Sequence, residues 1–145
     1  KEAETHRNRL FNTYKGLRAW QKATGNRVQI TQKIRTPSGR ERDFARENLG
    51  YRYTAALNFP IQGGAAEITL RALTRISPLI TDDCRLVNVV HDEILLEVRK
   101  ELAPEIASKA QEAMKQAFLD VFPEAGRYLH GLVEAHIGET WAETK

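Results

Sequence analysis

His91, Asp92 and Glu93 stand side by side between two runs rich in β-formers, Leu86-Val87-Asn88-Val89-Val90 and Ile94-Leu95-Leu96-Glu97-Val98. That pattern predicts a β-hairpin with a three-residue polar tip and two largely buried arms. Adjacent carboxylates at such a tip can present oxygens to a hard cation such as Mg²⁺, which takes one or two carboxylates together with substrate phosphates and waters. A solvated turn that keeps the hairpin in water is the simpler use of the same residues. Against it stands the apolar character of both arms, because a turn between core strands has no need for three ionisable groups in a row.

Two further pairs have spacings that suit chemistry. Asn58 and Gln62 are four apart, so on a wound helix both amides share a face. An amide donates and accepts, and such a pair can read the minor-groove acceptors present in every base pair, purine N3 and pyrimidine O2. An N-cap followed by an exposed glutamine is the simpler account of the pair taken alone. The adjoining Gly63-Gly64 costs a helix about 1–2 kcal/mol relative to alanines, which points to close approach of a ligand, another backbone or a neighbouring helix. Arg40 and Arg42 fall on one side of an expected strand, where they could pair phosphates bidentately or simply make a solvated basic turn.

Periodicity predicts the elements that position these residues. Leu10, Phe11, Tyr14, Leu17 and Trp20 make one apolar stripe and predict a helix over 4–24, weakened at Gly16 and stopped by Thr24-Gly25-Asn26. Val28, Ile30 and Ile34 alternate with polar residues and predict a strand over 27–36. The turn Thr36-Pro37-Ser38-Gly39 then leads into a short return strand, Arg40 to Phe44. Residues 45–57 look helical but irregular, punctuated by Gly50. A stronger helix is expected from Asn58, as N-cap, to Ile76, with Ile61, Ala65, Ile68, Ala72 and Ile76 as its buried stripe. An amphipathic helix is expected over 102–122, and a last strand over Leu132–Ile137. The fold class is α+β, with a small antiparallel sheet packed by helices.

Composition bounds the function classes. The chain has 145 residues, 41% hydrophobic and 28% charged, which fits one globular domain with a core and excludes a disordered tail or a fibre. No apolar run approaches the roughly 18 residues of a membrane helix, so no membrane partner is expected. The single cysteine, Cys84, excludes an internal disulfide framework and a cysteine-rich zinc site, and the expected location is cytoplasmic. The only methionine is Met114 and the first residue is Lys1, which predicts a processed chain or a piece of a longer one. The net charge of +3 is uneven. Residues 1–52 carry 13 Lys+Arg against 5 Asp+Glu, and residues 53–145 carry 9 against 14. A basic N-terminal third suggests a polyanion, with nucleic acid foremost, or a solvated basic helix face.

Taken together, the motifs resemble one family. Asn58-Phe59-Pro60-Ile61-Gln62-Gly63-Gly64-Ala65-Ala66-Glu67-Ile68, with His91-Asp92-Glu93 between apolar strands further on, resembles the C-terminal palm of family A DNA polymerases, relatives of bacterial DNA polymerase I. The family has an Asn-x-Pro-x-Gln-Gly-x-Ala-Ala-Asp helix and then an apolar-Val-His-Asp-Glu hairpin, its motif C. Phe11-Asn12-Thr13-Tyr14-Lys15-Gly16-Leu17 resembles its Phe-x-x-Tyr-Pro-Gly segment, and Thr36-Pro37-Ser38-Gly39-Arg40-Glu41-Arg42 its Thr-x-x-Gly-Arg-x-Arg turn. Glu134-Ala135-His136-Ile137-Gly138-Glu139-Thr140-Trp141 resembles its closing strand and near-terminal tryptophan. The likeness covers nearly the whole chain in order, 1–52 as a basic helix and hairpin segment and 53–145 as palm helix, motif-C hairpin, helix and final strand.

The resemblance implies a partial polymerase palm and template-directed deoxynucleotidyl transfer by a two-metal-ion mechanism, with Mg²⁺, primer–template DNA and a deoxynucleoside triphosphate (dNTP) as cofactor and partners. Asp92 would be a metal ligand, Glu93 a weaker or indirect one, and His91 would lie against the primer terminus. Asn58 and Gln62 would touch the minor groove, with Arg40 and Arg42 as phosphate-contact candidates. Thr54 stands where many members have an arginine that reaches the duplex, Gly64 where threonine is common, Glu67 for the usual aspartate and Lys15 for the usual proline. No segment resembles the family's second metal-binding aspartate, in motif A, or its fingers helix. The chain alone is therefore expected to be inactive and to need the remainder of a polymerase, in cis or as a second polypeptide. A separately encoded subunit of a split polymerase, and a palm relic that binds nucleic acid without catalysis, are the alternatives.

Overall fold

The computed structural model describes residues 2–144, apart from the side chains of Leu49 and Tyr128. The chain divides into two units, Lys1–Gly63 and Gly64–Lys145.

In the first unit, α1 (Glu2–Thr13) and α2 (Lys15–Thr31) are separated by a break at Tyr14, whose φ of −107° and ψ of 73° lie outside the helical region. Gly16 sits inside the first turn of α2 and breaks nothing. Nor does Thr24-Gly25-Asn26 end the helix. Gly25 is buried, and a Cβ there would lie 2.3 Å from Cε2 of Tyr53. The glycine makes room for a ring rather than a stop. The expected strand over 27–36 is consequently cut to β1 (Lys33–Arg35), and Val28 is buried on α2 instead. Gln32, at φ 55°, ends α2 in a left-handed cap, its N–H donating to the Val28 carbonyl.

β1 pairs antiparallel with β2 (Glu41–Asp43), as the turn signal predicts. Gly39 takes φ 96°, a left-handed turn position that favours glycine. The Thr36 hydroxyl accepts from the Arg40 N–H at 3.1 Å. Lys33 and Arg35 both pair with Glu41, and the hydrogen bond from Lys33, with that from Arg35 second, holds the Glu41 carboxyl below the usual carboxylate range. The core of this unit is Val28, Ile34, Phe44, Ala55 and Ala56, with Phe59 packed on it.

α3 (Leu49–Ile76) is one continuous helix. Asn58 is interior to it, so the expected N-cap is corrected. The cap is Asn48, whose Oδ1 accepts from the Tyr51 N–H at 2.9 Å. Pro60 removes the hydrogen bond that its N–H would make to the Ala56 carbonyl, a defect of about 3 kcal/mol in a helix interior. The helix persists because Ala55 and Ala56 are buried in the core on the N-terminal side of that defect, with Phe59 packed beside them.

Gly63 faces the turn: a Cβ there would lie 2.7 Å from Cγ2 of Thr36, which is itself buried. Gly63→Ala is expected to lower stability by about 1 kcal/mol. Overpacking of about 1–3 kcal/mol exceeds the roughly 1 kcal/mol of helix propensity gained. Urea unfolding measures it as a lower midpoint at unchanged slope. A raised midpoint would show that Thr36 yields freely.

In the second unit, β3 (Cys84–Val90) pairs antiparallel with β4 (Glu93–Val98), and α4 (Ala103–Val121) carries Pro104 in its first turn, close to expectation. Arg75 near the end of α3 holds Asp120 of α4 through three hydrogen bonds of 2.8–3.1 Å. Ala72, Ile76, Cys84, Ala117 and Val121 are buried. Of the stripe expected on α3, only its C-terminal members Ala72 and Ile76 are fully buried, while Ile61 is 58% exposed. Burial pushes the Cys84 thiol up, so it acts as a small apolar core residue.

Two expectations for this unit are corrected. The hairpin arms are not largely buried: Arg85, Leu86, Val87 and Asn88 of β3 are exposed. Residues 132–137 form no strand. Their apolar alternation satisfies a strand's faces, but a strand also needs a paired edge, and the ladder at this sheet joins only β3 and β4. The segment is held instead by Gln111 of α4, whose side-chain amide donates to the Val133 carbonyl at 2.6 Å. The architecture is helices with two small antiparallel sheets, the α+β class expected.

Candidate metal and nucleic-acid site

The hairpin tip has two residues, not three. Val90 pairs with Glu93, so Glu93 opens β4 and only His91-Asp92 form the loop. Two-residue hairpin loops favour a positive φ at their first position, and His91 supplies it at 56°. Histidine enters the left-handed region more readily than β-branched residues do, so the tip takes its turn without a glycine. Both tip residues are exposed, while Glu93 is half-buried. Lower in the hairpin the register shifts between Leu86 and Asn88, leaving Val87 as a bulge, a device that bends a strand and re-aims the residues beyond it.

Glu93 is held from a distance in sequence. Its Oε1 accepts from Nε1–H of Trp141 at 2.7 Å. Trp141 begins a short helical turn, Trp141–Thr144, that is tied in place twice. The Glu139 N–H donates to Oε2 of Glu143 at 2.8 Å, and Lys100 pairs with Glu139 at 2.9 Å. Gly138 permits the tight return, since a Cβ there would lie 2.8 Å from Cβ of Glu143. Residue types and spacing do not reveal this bond. Its one signal in the sequence is the near-terminal tryptophan, which the resemblance marks without giving it a role. Asp92, Glu93 and Trp141 border a groove of roughly 1330 Å³, lined further by β4, α4 and residues of 132–140.

Asp92 and Glu93 are hard oxygen donors, and the tryptophan bond engages only one Glu93 oxygen. Among the described residues no group of three or more His, Cys, Asp or Glu is gathered to hold a metal. Two carboxylates are a donor set of the kind used by Mg²⁺, which takes one or two carboxylates with other ligands supplied by substrate and water. They do not fit zinc, whose structural sites use four protein ligands and catalytic sites three.

The other candidates lie in the first unit. Asn58 and Gln62 occupy successive turns of α3, both exposed, which is the shared face expected. Arg40 is exposed beside the turn. Arg42 pairs with Glu47 at 2.7 Å, and its guanidinium lies 4.7 Å from the Phe44 ring centroid. Arg52 is buried and donates from Nη2 to the carbonyls of Ala45 and Glu47, stapling the approach to α3. Among the described residues no helix is long and apolar enough to cross a membrane.

The described residues thus offer an exposed aspartate in a two-residue hairpin tip and, in the first unit, a pair of exposed amides on α3. The model of one family, DNA polymerase family A, matches residues 1–143. The thermostable DNA polymerase I of Thermus filiformis is 33% identical over 153 residues, covering 100% of this chain and 17% of the relative. DNA polymerase I of Aquifex aeolicus is 28% identical over 145 residues, covering 98% of this chain and 24% of the relative. The solved POL domain of Pol1 from M. smegmatis, in complex with DNA primer-template and dNTP, is similar with a TM-score of 0.70 at 30% identity, over 80% of this chain and 22% of that one. This chain belongs to DNA polymerase family A. It spans about a sixth to a quarter of the length of these two polymerase relatives.

Proposed function

We propose that the chain serves as the metal-binding and primer-terminus part of a DNA polymerase palm, acting in template-directed transfer of deoxynucleotides. The observation that carries this is the hairpin tip: Asp92 is exposed in a two-residue loop, and the next residue, Glu93, is held by Trp141. Mg²⁺ bound there would neutralise charge developing on the transferred phosphoryl group. Asp92 holds the ion, Glu93 supports it as a weaker or indirect contact, and His91 lies against the primer terminus. Asn58 and Gln62 donate to minor-groove acceptors, contacts independent of sequence. Arg40 meets phosphate. Arg42, partly exposed while paired with Glu47, is a second candidate for phosphate contact.

The reaction needs ligands that hold two ions about 3.5–4 Å apart, and one aspartate with a neighbouring glutamate does not supply them. A further carboxylate must come from polypeptide outside these residues, in the same chain or in a second one. The test is primer extension with dNTP and Mg²⁺, by this chain alone and by the intact protein or the chain with its partner polypeptide. Extension only in the completed system supports the proposal. Salt-sensitive duplex binding with no extension in any combination would leave a nucleic-acid-binding relic instead.

Asn58→Ala and Gln62→Ala are each expected to lower kcat/KM for extension about three- to tenfold, the value of one neutral hydrogen bond of about 0.5–1.5 kcal/mol. Both sites are exposed, so the thermal midpoint should stay within the range of ordinary surface changes. Loss of folding in either variant would make that amide structural.

A further inference from the structure

We infer that Trp141 is a positioning residue for the metal site: its indole N–H fixes the carboxylate of Glu93, the acidic residue next to the hairpin tip. The inference rests on the proposed metal role of Asp92 and Glu93 and deepens it. Glu93, half-buried at the first position of β4, has three side-chain torsions to fix. The bond from Trp141 Nε1 at 2.7 Å takes Oε1 and leaves Oε2 to face a ligand.

The donor sits in a closely packed return. Trp141 starts the short turn at 141–144, and the preceding return is anchored by the Glu139–Glu143 hydrogen bond and by the Lys100–Glu139 ion pair just beyond β4. The close approach at Gly138 leaves no space for a side chain. A rigid ring delivering one N–H to one carboxylate oxygen is how outer-shell partners orient metal ligands, and their loss typically costs about 10–100-fold in metal affinity or activity.

The bond also links the hairpin tip to a segment 48 residues later. A purely structural strut would use the same bond, so the test must separate the two. In the intact protein, Trp141→Phe keeps an aromatic ring and removes the donor. The Mg²⁺ concentration for half-maximal primer extension is expected to rise on the order of tenfold. The same substitution in a Glu93→Ala background is expected to cause no further rise, because the group it positions is gone. Trp141→His, which retains an N–H donor on a ring, is expected to recover part of the loss.

A second readout is independent of activity. With tryptophan labelled by fluorine, the Trp141 resonance, assigned through Trp141→Phe, is expected to broaden on addition of Mn²⁺ as the probe ion. Asp92→Asn is expected to abolish that broadening. An equal Mg²⁺ shift in the presence and absence of Glu93, or an absence of any shift, would overturn the positioning role. If Trp141→Phe unfolds, the Mn²⁺ titration of the unsubstituted protein decides, and an unbroadened Trp141 resonance overturns the inference. If instead Asp92→Asn leaves both extension and Mn²⁺ broadening intact, the metal site itself is misassigned. That outcome is distinguishable, because it fails without any change at Trp141.

Discussion

Asp92→Ala in the intact protein is expected to slow templated primer extension by about three orders of magnitude while leaving duplex affinity within a few-fold of normal. The reason is the position of Asp92. It is an exposed loop residue at the tip of a two-residue turn, so its truncation opens no core cavity and leaves the ladder between β3 and β4 in place. What it removes is an oxygen ligand. Metal stabilisation of transition-state charge is worth several kcal/mol, and about 4 kcal/mol corresponds to roughly a thousandfold in rate. Duplex affinity comes mainly from phosphate neutralisation by basic residues, and the excess of these lies in residues 1–52. Single-turnover extension measures the first quantity and equilibrium titration with a labelled duplex the second. Near-normal extension by Asp92→Ala would remove the assignment of the tip as the metal site. A parallel collapse of DNA affinity would mean that the tip binds duplex rather than metal. Glu93→Ala should be milder, since its carboxylate is a supporting contact.

Phe44→Ala should destabilise the first unit by about 4 kcal/mol, within the range for truncating a buried phenylalanine. Phe44 is fully buried and is the largest member of a small core whose other members are Val28, Ile34, Ala55 and Ala56. Its ring meets Phe59 edge-on, with centroids 6.3 Å apart and planes at 79°. Its other neighbour is the Arg42 guanidinium, 4.7 Å from the ring centroid. Removing the ring therefore deletes transfer energy, an aromatic pair and the seat of Arg42 in one change. Two alanines line the same core, so the surroundings have little side-chain bulk with which to fill the cavity. A loss of that size is a large share of the roughly 5–15 kcal/mol typical of a whole domain. Chemical denaturation monitored by tryptophan fluorescence at Trp20 reads it, with Phe44→Leu as a milder comparison. A cost below about 1 kcal/mol would show that the β1–β2 hairpin is docked by something other than this ring.

Physical locality separates what could be read in the sequence from what could not. The two hairpins were legible because period-two patterning, β-branched runs and turn residues act over a few positions. For the same reason α4 was placed within a residue or two by its apolar stripe and Pro104. The motif around Asp92 stood out because adjacent carboxylates between apolar runs are unusual. The errors arose where distant residues overrule local preference. Thr24-Gly25-Asn26 reads locally as a stop, but Tyr53 lies over Gly25, and α2 continues. Asn58 reads as an N-cap before proline. Burial of Ala55 and Ala56, with Phe59 packed on them, carries the helix through Pro60, and Asn48 caps it instead.

The tip illustrates the same division within one site. Sequence alone placed His91, Asp92 and Glu93 at a hairpin end, with two adjacent carboxylates among them. It also determined an α+β chain whose ordered motifs match one polymerase family. Tertiary structure decided the register that puts Glu93 on the strand and leaves only His91 and Asp92 in the loop. It decided that Arg42 pairs with Glu47, that residues 132–137 join no strand among the described residues, and that Trp141 reaches Glu93. These are matters of which groups meet in space. A residue's type states what it can bond, but only the packed chain brings a partner 48 residues away to within 2.7 Å.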